Sequence, residues 1–341
     1  MNALTLVGGS FEEDLFPFSL TRSAADIRCG ILTIREKWLV YARYHPELNR
    51  FSIPANLLPR QDLIDSLLAN DSSILHHWPR KLLLSTDIIR YNGEEIRQDF
   101  DLITRGRRSE PVSATNKLSG DSVFIEKGAV VEHCFLNTLE GPIYIGKDAL
   151  VMEGSMIRGP FALGEKGVVK MGAKIYGATS TGPECILGGE IKNSILFGYS
   201  NKAHDGYLGD SVIGEWCNLG AGSSNSNIKN SGGEIRYWNP IKNNFVTAGQ
   251  KSGLMMGDYS RSAINTAFNT GTQIGVCCHV FGIGPTPAYL PSFSWGFHQE
   301  RYALDKAIRH IGHWKKLKNR QLEPEEIKQL NLIFDQINKS Q

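Results

Sequence analysis

The chain has 341 residues, 41% of them hydrophobic, and its 37 Lys and Arg against 35 Asp and Glu leave a net charge of +2. That length holds one large domain or two ordinary ones, and the near-neutral balance excludes a general field for nucleic acid or an anionic membrane surface. No stretch reaches the ~18 apolar residues of a membrane span, the first residues lack the basic start of a secretory signal, and the six cysteines show neither a CxxC pair nor zinc-finger spacing, so a cytoplasmic protein with no metal site and no disulfide framework is expected.

Residues 1–110 read as a small α/β domain. A short apolar strand is expected at Leu4–Val7, a strand or helix around GILTIREKW, and helices in QDLIDSLLAN and EEIRQDFDLITRG. The polar run RRSEPVSATNKLSGD then reads as a linker.

From about 120 to 298 the composition changes: 29 of the 35 glycines lie between Gly120 and Gly296. An internal repeat accompanies them. Steps of six from Ile145 reach Val151, Ile157, Leu163, Val169, Ile175, Thr181 and Leu187, and four residues after each lie Ala149, Ser155, Phe161, Gly167, Ala173, Thr179, Cys185 and Ile191, mostly small. One inward aliphatic and one small residue per unit suit a short strand followed by a tight turn, with three units closing a triangular coil; stacked coils bury the aliphatic column. The expected class is mainly β: a left-handed parallel β-helix of hexapeptide repeats, which departs from the usual right-handed crossover because no helix intervenes. The phase breaks after Leu187 and resumes at Tyr207, Ile213 and Leu219, so NSILFGYSNKAHDG is expected to hold a protruding or irregular turn. Residues 299–341 read as a C-terminal helical segment, with Pro324 in the first turn of its second helix. The basic stretch Arg309–Arg320 is a solvated face or lies near an anionic cofactor.

The richest chemistry lies in residues 188–230. Acylation of an amine by a thioester needs a base near neutral pH, and His204 is suited to that role. A phosphorylated acceptor needs cations, which Lys192, Lys202 and Lys170 supply, while Asn218, Asn225 and Asn227 offer uncharged hydrogen bonds. The alternative is structural: His204 caps a turn and the asparagines stack between coils.

The run KAHDGYLGDSVIGEWCNLGAG resembles the acetyltransferase half of the bacterial bifunctional family that acetylates glucosamine-1-phosphate and then uridylylates it. His204, Tyr207, Leu208, Gly209 and Asp210 fall in register with its motif, followed by Asn218 to Gly222 and by Asn227; GEIKN at 189–193 is similar to its F-V-E-V-K-N. The resemblance implies His204 as general base, Asn227 as a second catalytic-site residue, Lys192 and Tyr207 on the sugar phosphate, Asn218 on the sugar, Ala221 beside acetyl-CoA as co-substrate, and a homotrimer with sites between neighbouring β-helices. The family's phosphate-binding R-x-R-P-G turn is absent, and Lys170 is the nearest substitute. Residues 159–193, INTAFNTGTQIG and PSFSWG resemble a divergent sugar nucleotidyltransferase-like branch. Within DLFPFSLTRSAADIRCGILTIREKW that resemblance implies Arg22, Arg28 and Lys37 as nucleotide or phosphate contacts. The first domain is only about half the usual size and lacks the glycine-rich triphosphate loop, and no acid can be assigned to Mg²⁺, which is needed only if nucleotidyl transfer is retained. The expected function is N-acetyl transfer to an amino-sugar phosphate, with neither nucleic acid nor membrane as partner. Sugar-1-phosphate nucleotidyl transfer and a non-catalytic sugar-nucleotide-binding scaffold stand as alternatives.

Overall fold

The computed structural model describes residues 4–298 and 300–339. The strand β1 (Thr5–Val7) pairs in parallel with β2 (Ser52–Pro54). Helices α1 (Ile34–Tyr44), α2 (Gln61–Leu68), α3 (Ile74–His77) and α4 (Ser85–Thr104) complete the N-terminal region. The ambiguous GILTIREKW stretch becomes α1 because Thr33 and Glu36 form a reciprocal cap. The Thr33 hydroxyl accepts from the Glu36 N–H at 3.2 Å, and the Glu36 carboxylate accepts from the Thr33 N–H at 2.7 Å. The expected linker is partly structural: Lys117–Ser119 is already a solenoid strand, paired with Phe135–Asn137.

The rest is a parallel β-helix with three faces. Its first sheet stacks nine strands, from Val123–Ile125 to Tyr289–Leu290. Each coil passes from that sheet to a second (such as Leu150–Val151) and a third (such as Met156–Arg158) before returning. All eight residues of the six-step column from Ile145 to Leu187 are at most 2% exposed, and so are the seven accompanying non-glycine positions from Ala149 to Ile191; Gly167 is also buried. Inward side chains stack in register, Leu163 on Ile145, Leu196 on Thr181, Ile213 on Leu196, Met256 on Ile213 and Ile274 on Met256. Full burial of each large aliphatic side chain contributes about 1.5–3 kcal/mol.

The irregularity expected at residues 193–206 is a contraction, not a protrusion. Eighteen-residue coils shorten so that Thr181 pairs with Leu196 and Leu187 with Lys202. The protruding segment comes later: Ile213 pairs with Met256, and between them a corner carries an antiparallel hairpin of Ile235–Asn239 and Asn244–Gly249.

At the corner from first to second sheet, Asp148, Lys166, Glu184, Tyr199, Trp216, Tyr259, Cys277 and Phe293 each adopt left-handed backbone with φ between 52° and 65°. For a residue with a Cβ this costs roughly 1–2 kcal/mol. The column starts charged and turns aromatic, and its aromatic half is covered by α5 (Leu304–Lys316) and α6 (Pro324–Lys339). The N-terminal region covers the outer face of the first sheet instead, packing Leu15, Phe18 and Ile88 against Ile195, Phe197, Val212 and Met255. Asn92 of α4 fastens the join. Its amide donates to the Ala178 carbonyl at 2.7 Å, and its oxygen accepts from the Gly30 N–H at 2.8 Å and the Ser180 hydroxyl at 2.9 Å.

Candidate functional site

The contraction of the coils decides where the chemistry-bearing residues fall. His204 lies at the corner from the second to the third sheet, exposed, and its ring has no hydrogen-bond partner among the described residues. Beside it runs a groove of about 460 Å³ whose wall includes Lys170, Ala203, Asp205, Ala221 and Gly222. His204, Lys170 and Ala221 are thus brought together. The floor is smooth because Gly188 belongs to it: a Cβ there would stand 2.4 Å from the carbonyl oxygen of Ala203 in the next coil.

Beneath this corner the aliphatic column is interrupted by a lysine. Lys202 pairs beside Leu187 in the second sheet and is 1% exposed. Its ammonium donates to the carbonyls of His204 at 2.5 Å, Gly188 at 3.3 Å and Asp205 at 3.4 Å. These bonds tie the His204 turn to the coil below. Burial pushes the Lys202 amine down to about 8, with the Asp205 carboxylate acting weakly in the other direction.

Lys192 and Tyr207 fall on the outer face of the third sheet. The strand pairing sets Tyr207 beside Glu190 and Tyr176 beside Lys192, with the Lys192 ammonium 5.8 Å from the Tyr176 ring centre. Tyr176 donates to Glu190 at 2.7 Å, and chiefly through that hydrogen bond its phenol is pushed up to about 12. Asn227 lies past the next corner, where its amide donates to the Tyr207 hydroxyl at 3.1 Å and to Asp210; Asn193 donates to the other oxygen of Asp210 at 2.6 Å. Asn218 is on the outer face of the second sheet, accepting from Asn201 at 3.3 Å. Asn225 points into the solenoid and bonds both backbone groups of Gly209, at 2.7 and 2.9 Å, which is the structural role weighed for the asparagines. Within one chain, therefore, the His204 groove, the Lys192–Tyr207 face and Asn218 occupy separate surfaces.

The three N-terminal cations take separate internal partners. Lys37 is 1% exposed and forms ion pairs with Glu95 at 2.9 Å and with Asp99 at 2.5 Å. Burial pushes the Asp99 carboxyl up to about 6 while the Lys37 charge pulls against it. Arg22 reaches across to the β-helix, pairing with Asp258 and, at 3.2 Å, with Glu215; Thr21 donates to Asp258 at 2.7 Å. Arg28 donates to the Ile31 carbonyl and lies 3.6 Å from Glu36. These positions serve the fold of the N-terminal region and its attachment to the solenoid. Among the described residues no group of three or more His, Cys, Asp or Glu is arranged to hold a metal ion.

Residues 4–51, the segment holding those three cations, match the sugar nucleotidyl transferase family. The chain is similar to the sugar nucleotidyl transferases. It is also 32% identical over 91 residues to the bifunctional protein GlmU of Methanocaldococcus jannaschii, covering 27% of this chain and 22% of that protein. GlmU of Methanococcus maripaludis is 35% identical over 86 residues, 25% of this chain and 20% of the relative. A bifunctional sugar-1-phosphate nucleotidylyltransferase/acetyltransferase of Sulfurisphaera tokodaii is 31% identical over 93 residues, 27% and 23% of the two chains. The matches span about a fifth of the length of these relatives. No helix among the described residues is long and apolar enough to cross a membrane.

Proposed function

We propose that the β-helix is an N-acetyltransferase, moving the acetyl group of acetyl-CoA to the amine of an amino-sugar phosphate such as glucosamine-1-phosphate. The observation that carries this reading is the His204 ring, without a hydrogen-bond partner among the described residues, beside a smooth-floored groove that also holds Lys170 and Ala221. Similarity to bifunctional nucleotidylyltransferase/acetyltransferases supports the same chemistry. The amine attacks the thioester carbonyl, the C–N bond forms and the C–S bond breaks. His204 takes the amine's proton, and the CoA thiolate leaves to be protonated as free thiol. The Lys202 bonds hold the His204 backbone still during that exchange. Lys170 supplies a positive charge for the acceptor's phosphate, and Asn227 orients Tyr207.

Release of free thiol from acetyl-CoA in the presence of glucosamine-1-phosphate tests the proposal. His204→Ala, folded by circular dichroism, is expected to lose about 10²- to 10⁴-fold in kcat. Undiminished turnover would remove His204 as the base. The match of residues 4–51 favours a second reading, nucleotidyl transfer to a sugar-1-phosphate. Its check is pyrophosphate release from UTP, Mg²⁺ and N-acetylglucosamine-1-phosphate; no product with any nucleoside triphosphate would eliminate it.

A further inference from the structure

A second recess, about 600 Å³, lies where the first turns of α4 meet the β-helix and the exit of the hairpin. This volume is within the range of small-molecule sites. Its walls carry two cations from different elements, Arg90 of α4 and Lys251 after the hairpin. Arg90 is 72% exposed at the side chain and lies 3.8 Å from Asp87, too far to be held firmly. Lys251 has no ion pair or hydrogen bond of its ammonium among the described residues. The Asp87 carboxylate is occupied with the helix start, accepting the N–H groups of Leu83 and Leu84 at 2.9 Å each.

Two further lining groups point to an occupant. The Ser252 hydroxyl belongs to a residue 2% exposed and meets no hydrogen-bond partner among the described residues; a buried hydroxyl left so is destabilising. Asp210 is 5% exposed and accepts two amides, Asn193 and Asn227, but no cation lies within ion-pair distance among the described residues. A buried carboxylate without a cation favours a ligand that brings one, or brings hydroxyl donors. The positive end of α4, a helix of 20 residues, adds to the attraction for an anion at the same wall.

We propose that this cleft is a binding site, separate from the His204 groove, for a small sugar phosphate. Arg90 and Lys251 take the phosphate, and Asp210 and Ser252 take an ammonium or hydroxyl at the other end. The inference does not rest on acyl transfer.

Calorimetric titration of the full chain with glucosamine-1-phosphate and with glucose-1-phosphate tests it. Arg90→Ala combined with Lys251→Ala, both on the rim, is expected to weaken this site about tenfold or more for both ligands. Lys170→Ala and His204→Ala are expected to leave it unchanged, so failure of the cleft and failure of the acetyltransferase reading separate. Asp210→Asn is expected to abolish any preference for the amino sugar over glucose-1-phosphate. Should Asp210→Asn fail to fold, the rim variant decides alone. Wild-type titration unaltered in the rim variant, loss of all binding in Lys170→Ala, or no saturable binding of either ligand to the wild type would each overturn the proposal.

Discussion

Arg22, Arg28 and Lys37 sit in a segment similar to sugar nucleotidyl transferases, and phosphate contact is what that resemblance implies for them. The partners of two of them are remote in sequence: Asp99 is 62 residues from Lys37, and Asp258 is 236 from Arg22. Only the folded chain shows those charges already neutralised. Removing Lys37 would leave the buried carboxylates of Glu95 and Asp99 with one cation among the described residues, Arg80, which bonds Glu95 at 2.7 Å, and with the Ile31 and Leu32 N–H groups on Asp99. Lys37→Met is therefore expected to cost about 3–5 kcal/mol in urea unfolding. Lys202 is the opposite case, a lysine whose partners are all carbonyls. Its folded-state value near 8 lies below the ordinary 10.5. Between those values the unfolded chain holds the extra proton, so this group adds stability as pH rises through that window and takes it away as pH falls. The stability difference between wild type and Lys202→Met, followed by denaturant unfolding, is expected to grow from pH 8 to 10.5 and to be flat below 7.

The coil is legible because its determinants are local. One inward aliphatic every six residues is a rule each strand obeys by itself, and residues 145–187 follow it almost without exception. The contraction after Leu187 and the long excursion before Met256 break that count, so the eye loses the column where the chemistry begins. The left-handed corner column was not legible at all. Its members range from Asp148 to Phe293, and no residue type unites them; what unites them is what covers them. Asp148 and Lys166 face solvent, Glu184 is half-buried and pairs with Arg320 at 3.0 Å, and the aromatic members lie beneath α5 and α6, with Trp216 stacked on Tyr199 at 4.4 Å between ring centres. Truncating a buried aromatic of this size costs about 3–5 kcal/mol. Trp216→Ala is expected to raise amide hydrogen exchange in α5 and α6 while the Ile145 to Leu187 column keeps its protection.

At the scale of the molecule, two coverings occupy different faces of the solenoid, and the third sheet remains bare. It presents Phe135 at 57% exposure and Met156 at 46%, on the same face as Lys192 and Tyr207. The trimer implied by the family resemblance would cover this face and bring Lys192 and Tyr207 of one chain toward the His204 groove of another. Those groups are apart within a single chain, so in such a trimer the proposed acetyltransferase site would be completed by assembly. Light scattering is expected to give three times the 37.8 kDa chain mass; a monomer that still turns over acetyl-CoA would show that one chain suffices. The sequence motif sets these residues close together along the chain, but the three-sided coil sends adjacent residues outward in different directions.

The hairpin excursion has a consequence of its own. Val212 and Ile213 meet Met255 and Met256 edge to edge as if nothing lay between them. A corner of this solenoid is therefore a splice point: chain can be let out or taken in there while the rungs on either side still meet. The wall of the cleft that the hairpin helps to build can change in shape and charge without the scaffold having to be refolded around it.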